Sequence, residues 1–209
     1  MKFKFAAVWL CLVCIGIFIL QSIIPGFTET FQLSQPYIEV WRFLTAIFLH
    51  ASIAHILYNM FALVLFGSIL EGIIGPRRFL GIFILSGVLA NIIASFFYSS
   101  SLGASGAIFG VIGTLVVLRP KMTVWAYSLP MPMFVAAILW VGGDLLGAVA
   151  FLSGSPIGST GNIAHLVGVF AGLFYGAILR KEYTQQQIVK PGVYIDEGGM
   201  RRWEDNFMR

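Results

Sequence analysis

Ser105-Gly106-Ala107-Ile108-Phe109-Gly110-Val111-Ile112-Gly113-Thr114-Leu115-Val116-Val117-Leu118 is the stretch on which the fold turns. It carries no charge, and its glycines recur at 106, 110 and 113, on one face of a helix. In water that much glycine would weaken a helix. In lipid, small residues at this spacing let two helix backbones come together. A crossing needs roughly 20 apolar residues, so this short run is a membrane span only if its neighbours are spans too.

The rest of the chain says that they are. Of 209 residues, 58% are hydrophobic and 11% charged, against about 25% charged in a soluble domain. Ten of the 22 charged residues fall in Lys181 to Arg209. The first 180 residues cannot solvate a surface of that size, which excludes a soluble enzyme, a disordered chain and a secreted disulfide scaffold. Cys11 and Cys14 lie inside an apolar run and read as packing thiols. Apolar runs lie at about 5–24, 51–72, 79–98, 105–118, 132–152 and 162–180. Lys2 and Lys4 raise the possibility of a signal peptide, but the run after them is too long and no cleavage site follows.

Charge then fixes the topology. With the N-terminus in the cytoplasm, 12 of the 13 basic residues fall on the inner side, and only Arg42 lies outside. The expected fold is an all-α membrane protein: a bundle of six transmembrane helices with both termini cytoplasmic. Residues 1–180 form the membrane domain, and 181–209 a polar cytoplasmic tail. The first outer loop, about 25–50, is semi-apolar and should lie partly embedded in the interface. The basic residues form no patch that would point to nucleic acid, and nothing fixes an oligomeric state.

Polar groups inside a bilayer are costly, so each is a functional candidate. The topology puts His50, His55 and His165 at one depth, near the outer surface. Asn59 lies one turn below His55 on the same helix face. Ser105 opens the fourth span at that depth as well. A serine hydroxyl needs a base to become a nucleophile, and imidazole is the usual one near neutral pH. An acyl-transfer intermediate needs donors for its oxyanion. His55, Asn59 and the free N–H groups at the start of the fourth helix can supply them. The fourth and sixth spans run parallel. If the stripe Gly106, Gly110, Gly113 meets the stripe Gly168, Gly172, Gly176, Ser105 and His165 come together.

Other groups weigh less. Asp144 is the one acid well inside the membrane. Counting along the fifth span puts it mid-helix, below the site, where it reads as a packing hydrogen bond rather than a third catalytic member. Glu71 reads as a local ion pair or interface contact beside Arg77 and Arg78. No metal or cofactor is called for: three histidines could ligate zinc, but Ser105 would then lose its base. A non-catalytic clamp for transmembrane helices would need neither Ser105 nor His165. A transporter would show more buried acids or a repeat.

At these residues the chain resembles the rhomboid family of intramembrane serine proteases. Trp41-Arg42 resembles that family's Trp-Arg pair in the first outer loop. His50-Ala51-Ser52-Ile53-Ala54-His55-Ile56-Leu57-Tyr58-Asn59 resembles its second-helix motif. Gly103-Ala104-Ser105-Gly106 resembles its nucleophile turn, and Ala164-His165-Leu166-Val167-Gly168 its sixth-helix segment. The resemblance implies a Ser105–His165 dyad with no third acid. It implies an oxyanion and substrate-binding set of His55, Asn59, Gly103, His50 and the Ser105 amide, and packing of Phe109 on His165. It implies hydrolysis of a peptide bond in or near the transmembrane helix of a membrane-protein substrate, with the fifth helix as a lateral gate. Six helices without a seventh resemble the basic prokaryotic form, in the plasma membrane.

Overall fold

Apolar length sets the architecture. Among the described residues, five helices of the computed structural model are long and apolar enough to cross a membrane, and a shorter one, Ser105–Leu118, lies among them. The structure describes residues 5–36, 38–156 and 161–188, with side chains as far as Tyr183. Lys2, Lys4, part of the loop between the fifth and sixth spans, and most of the expected tail lie outside these residues.

Helix α1 is Ala6–Ile23. Two short helices, α2 (Phe27–Phe31) and α3 (Arg42–Thr45), belong to the first outer loop. The second span is built from α4 (Ile53–Ala62), one wide turn at Leu63–Gly67, and α5 (Ser68–Ile74). Then follow α6 (Pro76–Ala94), α7 (Ser105–Leu118), α8 (Met133–Leu152) and α9 (Asn162–Ile188). The six expected spans thus become six membrane helices, and the protein is an all-α, multi-pass membrane protein. Among the described residues, strands are confined to two small antiparallel pairs. In one, β1 (Leu33–Ser34) meets β2 (Ser100–Ser101); in the other, β3 (Thr123–Ala126) meets β4 (Leu129–Pro132).

Helix α7 is the centre of the bundle. Ten of its residues, from Gly106 to Leu118, are buried. Its glycines explain how closely it is wrapped. A Cβ at Gly168 would overlap the carbonyl oxygen of Gly106, and one at Gly172 would overlap that of Gly110. The hydroxyl of Thr114 lies 3.0 Å from the carbonyl oxygens of both Gly110 and Gly172. On the other side of α7, a Cβ at Gly110 would overlap Ser86 of α6. The expected meeting of glycine stripes is therefore what joins α7 to α9.

Glu71 is not paired with the neighbouring arginines. Its two carboxylate oxygens accept the backbone N–H groups of Ala6 and Ala7, each at 2.9 Å. A carboxylate from α5 thus caps the start of α1, where unpaired N–H groups favour negative charge. Arg78 instead donates to Glu182 at 3.0 Å and to the hydroxyl of Tyr183 at 3.2 Å. That contact holds α9 well past residue 180.

The first outer loop is organised by Arg42. Its guanidinium donates to the carbonyls of Glu29 and Gln32, both at 3.0 Å, and to Ser34 Oγ at 3.1 Å. It also pairs with Glu39. Val40 and Trp41 remain exposed beside it, an apolar edge that suits an interfacial loop. Asn91 of α6 holds the loop down by donating to the Phe43 carbonyl at 2.9 Å.

Candidate active site

Ser105 is the first residue of α7, at the turn made by Gly103 and Ala104. Gly103 has φ +127°, a backbone that side chains rarely adopt. A Cβ there would also sit 2.7 Å from Cε1 and 2.9 Å from Nε2 of His55. The same point is 3.9 Å from Ser105 Oγ. Gly103 is therefore the space in which the imidazole of His55 and the hydroxyl of Ser105 approach one another. The Gly103 N–H donates to the carbonyl of Ala46 at 2.8 Å, which anchors the turn to the outer loop.

His55 lies in the first turn of α4, which Ser52 caps by accepting the His55 N–H at 3.1 Å. The N–H of Ala51 points at His55 Nδ1, at 3.4 Å. A ring nitrogen that accepts cannot carry the proton, so Nε2 is the protonated nitrogen. That leaves Nε2–H as a donor on the Gly103 and Ser105 side. Asn59, one turn deeper, is buried. Its Nδ2 makes no hydrogen bond among the described residues. A buried amide donor without a partner is costly, unless something arriving in the cavity accepts from it.

His165 comes from α9 and is 9% exposed. Its ring is stacked on Phe109 of α7, with centroids 4.4 Å apart and planes 7° from parallel. Its Nδ1 lies 3.0 Å from Asp144 Oδ1 of α8. Ser105, His165, His55, Asn59 and Gly103 all line one cavity of about 990 Å³. No hydrogen bond joins Ser105 to His165 in this structure.

His50 behaves differently from the other five. It does not line the cavity, is 2% exposed, and meets His55 edge-on with centroids 5.1 Å apart. Gln21 of α1 fixes its backbone, accepting its N–H at 3.0 Å and donating to its carbonyl at 3.3 Å. Burial, with the neighbouring His55 adding to it, lowers the His50 pKa from 6.5 to about 4. His50 is thus a buried wall behind His55, outside the cavity lining.

A rhomboid domain model matches residues 37–182. This chain belongs to the rhomboid family. Among its relatives, the rhomboid protease GluP of Bacillus subtilis is 35% identical over 144 residues, covering 68% of this chain and 26% of that protein. The rhomboid protease GlpG of Haemophilus influenzae is 28% identical over 141 residues, 67% of this chain and 70% of its own length. The mitochondrial RHOMBOID-like protein 6 of Arabidopsis thaliana is 32% identical over 145 residues, 68% of this chain and 44% of its own. The chain thus spans about a quarter of the Bacillus relative and under half of the plant one.

Within this rhomboid domain, sequence reasoning missed two neighbours of His165. Asp144 is not below the site but against it. Its carboxylate touches His165 and accepts from Asn162 Nδ2 at 2.8 Å. Helices α8 and α9 run antiparallel, so residues three apart on one pair with residues three apart on the other. A Cβ at Gly147 would sit 2.6 Å from the Asn162 amide. One turn deeper, Asp144 meets His165. Depth counting failed because it ended both helices at one plane, whereas α8 continues five residues beyond Gly147 to Leu152. Asn162 could have been noticed: it lies three residues before His165, on the same helix face.

Proposed function

We propose that this rhomboid is an intramembrane serine endopeptidase that hydrolyses a peptide bond in or next to the transmembrane segment of membrane-protein substrates. The observation that carries this reading is the convergence of Ser105, His165, His55 and Asn59, from three separate helices, on one cavity among apolar helices. Ser105 is the nucleophile and His165 the base. Ser105 Oγ attacks the scissile carbonyl while its proton passes to His165 Nε2. The oxyanion receives hydrogen bonds from His55 Nε2–H, Asn59 Nδ2–H and the Ser105 amide. The imidazolium then gives its proton to the departing amine, and water, activated by the same histidine, releases the acyl group. Gly103 supplies clearance, and His50 backs His55.

The setting we propose is the plasma membrane of a prokaryote, with both termini cytoplasmic and the site near the outer surface. Residues 1–180 then carry the chemistry, with 181–209 as a cytoplasmic tail. Cleavage of a transmembrane substrate by the purified, detergent-solubilised protein tests the activity. Ser105→Ala and His165→Ala should each lower kcat by at least about a thousandfold. Cleavage that survives Ser105→Ala would sink the serine mechanism.

A further inference from the structure

We infer that Asp144 is a positioning residue for His165: its carboxylate accepts the Nδ1–H of the ring and leaves Nε2 bare for the Ser105 proton. The inference deepens the protease reading and rests on it for its catalytic consequence. The geometry itself stands on three contacts. Asp144 Oδ1 lies 3.0 Å from His165 Nδ1 and 2.8 Å from Asn162 Nδ2. An oxygen that accepts from an amide N–H is an acceptor, so the histidine nitrogen facing it carries a proton. In a neutral imidazole the other nitrogen then holds the lone pair. Phe109 completes the clamp by stacking on the ring, so its plane is fixed from α7 and its rotation about that plane from α8.

The two histidines of the cavity are therefore set in opposite tautomers by opposite partners. A backbone N–H donates to Nδ1 of His55 and makes its Nε2 a donor. A carboxylate accepts from Nδ1 of His165 and makes its Nε2 an acceptor. One suits an oxyanion and the other suits a hydroxyl proton. Burial strengthens the assignment, because Asp144 is 7% and His165 9% exposed, and water cannot readily substitute for either partner. Since Asp144 is carried by α8 and His165 by α9, the orientation of the base depends on how α8 is seated.

A packing role for Asp144 predicts lost stability with catalysis intact in whatever protein folds. A positioning role predicts a fall in kcat with KM unchanged. Asp144→Asn is near-isosteric and keeps an oxygen for Asn162, but its amide can turn an N–H toward Nδ1 and favour the wrong tautomer. We expect kcat to fall about tenfold in Asp144→Asn and about a hundredfold in Asp144→Ala, with KM within about twofold. Unchanged kcat in folded Asp144→Asn would overturn the inference. Ring nitrogen-15 spectra of the wild type supply a measurement that needs no variant to fold except for assignment. His165 should show a protonated Nδ1 and a bare Nε2, with the signal assigned by its loss in His165→Ala. The reverse pattern would overturn the inference. Ser105→Ala is assayed in parallel: if it still cleaves, the protease reading fails, while the nitrogen spectra still decide the Asp144–His165 contact.

Discussion

Helix α9 faces two neighbours in two different ways. Against α7 the contact is backbone on backbone. Gly168 and Gly172 lie on the carbonyls of Gly106 and Gly110, and no side chain larger than a hydrogen fits between them. Against α8 the contact is made by side chains: Asn162 fills the space at Gly147 and bonds Asp144, which holds His165. Part of α8 is open, with Ile138, Leu145, Leu146 and Val149 all more than half exposed. The first face sets where Ser105 and His165 stand. The second sets how His165 is turned. A polar link can be made and broken with small movements, whereas a glycine seam has no alternative packing of similar energy.

Substitution of the seam should be the most damaging change. Gly172→Leu would drive a side chain into the Gly110 carbonyl. It should cost more than about 4 kcal/mol, or prevent folding outright. Thermal melting in detergent checks this, and a variant that folds with full activity would contradict the seam as described.

A second effect belongs to neither face. His50 is kept neutral by the fold, with its pKa moved from 6.5 to about 4. The unfolded chain takes up a proton first as pH falls, so this contribution is complete above about pH 6.5 and is lost progressively toward pH 4. It amounts to roughly 3 kcal/mol. Melting temperatures between pH 7.5 and about 4.5 should fall, and less steeply in His50→Gln. Equal slopes would remove His50 as the cause.

Asn162→Ala asks how much the side-chain face is worth. It opens space at Gly147 and strips Asp144 of one of the two hydrogen-bond partners it has among the described residues. About 1–2 kcal/mol of stability should be lost, together with a fall in kcat smaller than that of Asp144→Ala. If kcat is unchanged, Asp144 holds His165 without help. Thr114→Val is the mildest probe of the seam. It removes the hydroxyl between the carbonyls of Gly110 and Gly172 but keeps the shape, so about 0.5–1.5 kcal/mol is expected. A larger loss, measured by melting, would mean that the hydroxyl, and not the glycines, joins α7 to α9.

The sequence alone determined the six spans, because apolar length and the sidedness of basic residues depend on bilayer thickness and not on packing. It also picked out several polar residues of the cavity. Ser105, His55, Asn59 and His165 are conspicuous because lipid penalises polar groups that have no task. The glycine stripes were legible for a related reason: 106, 110 and 113 against 168, 172 and 176 is a spacing with one geometric use. His50 shows the limit of that reasoning, since a residue that lines a cavity and one that lies behind it look alike in a string of residues. Only the tertiary structure placed Asp144 against His165, Glu71 on the start of α1 and Asn162 in the space at Gly147. Each of those contacts depends on the offset between two helices, and an offset is set by side chains meeting across an interface, a quantity that no count along one chain contains.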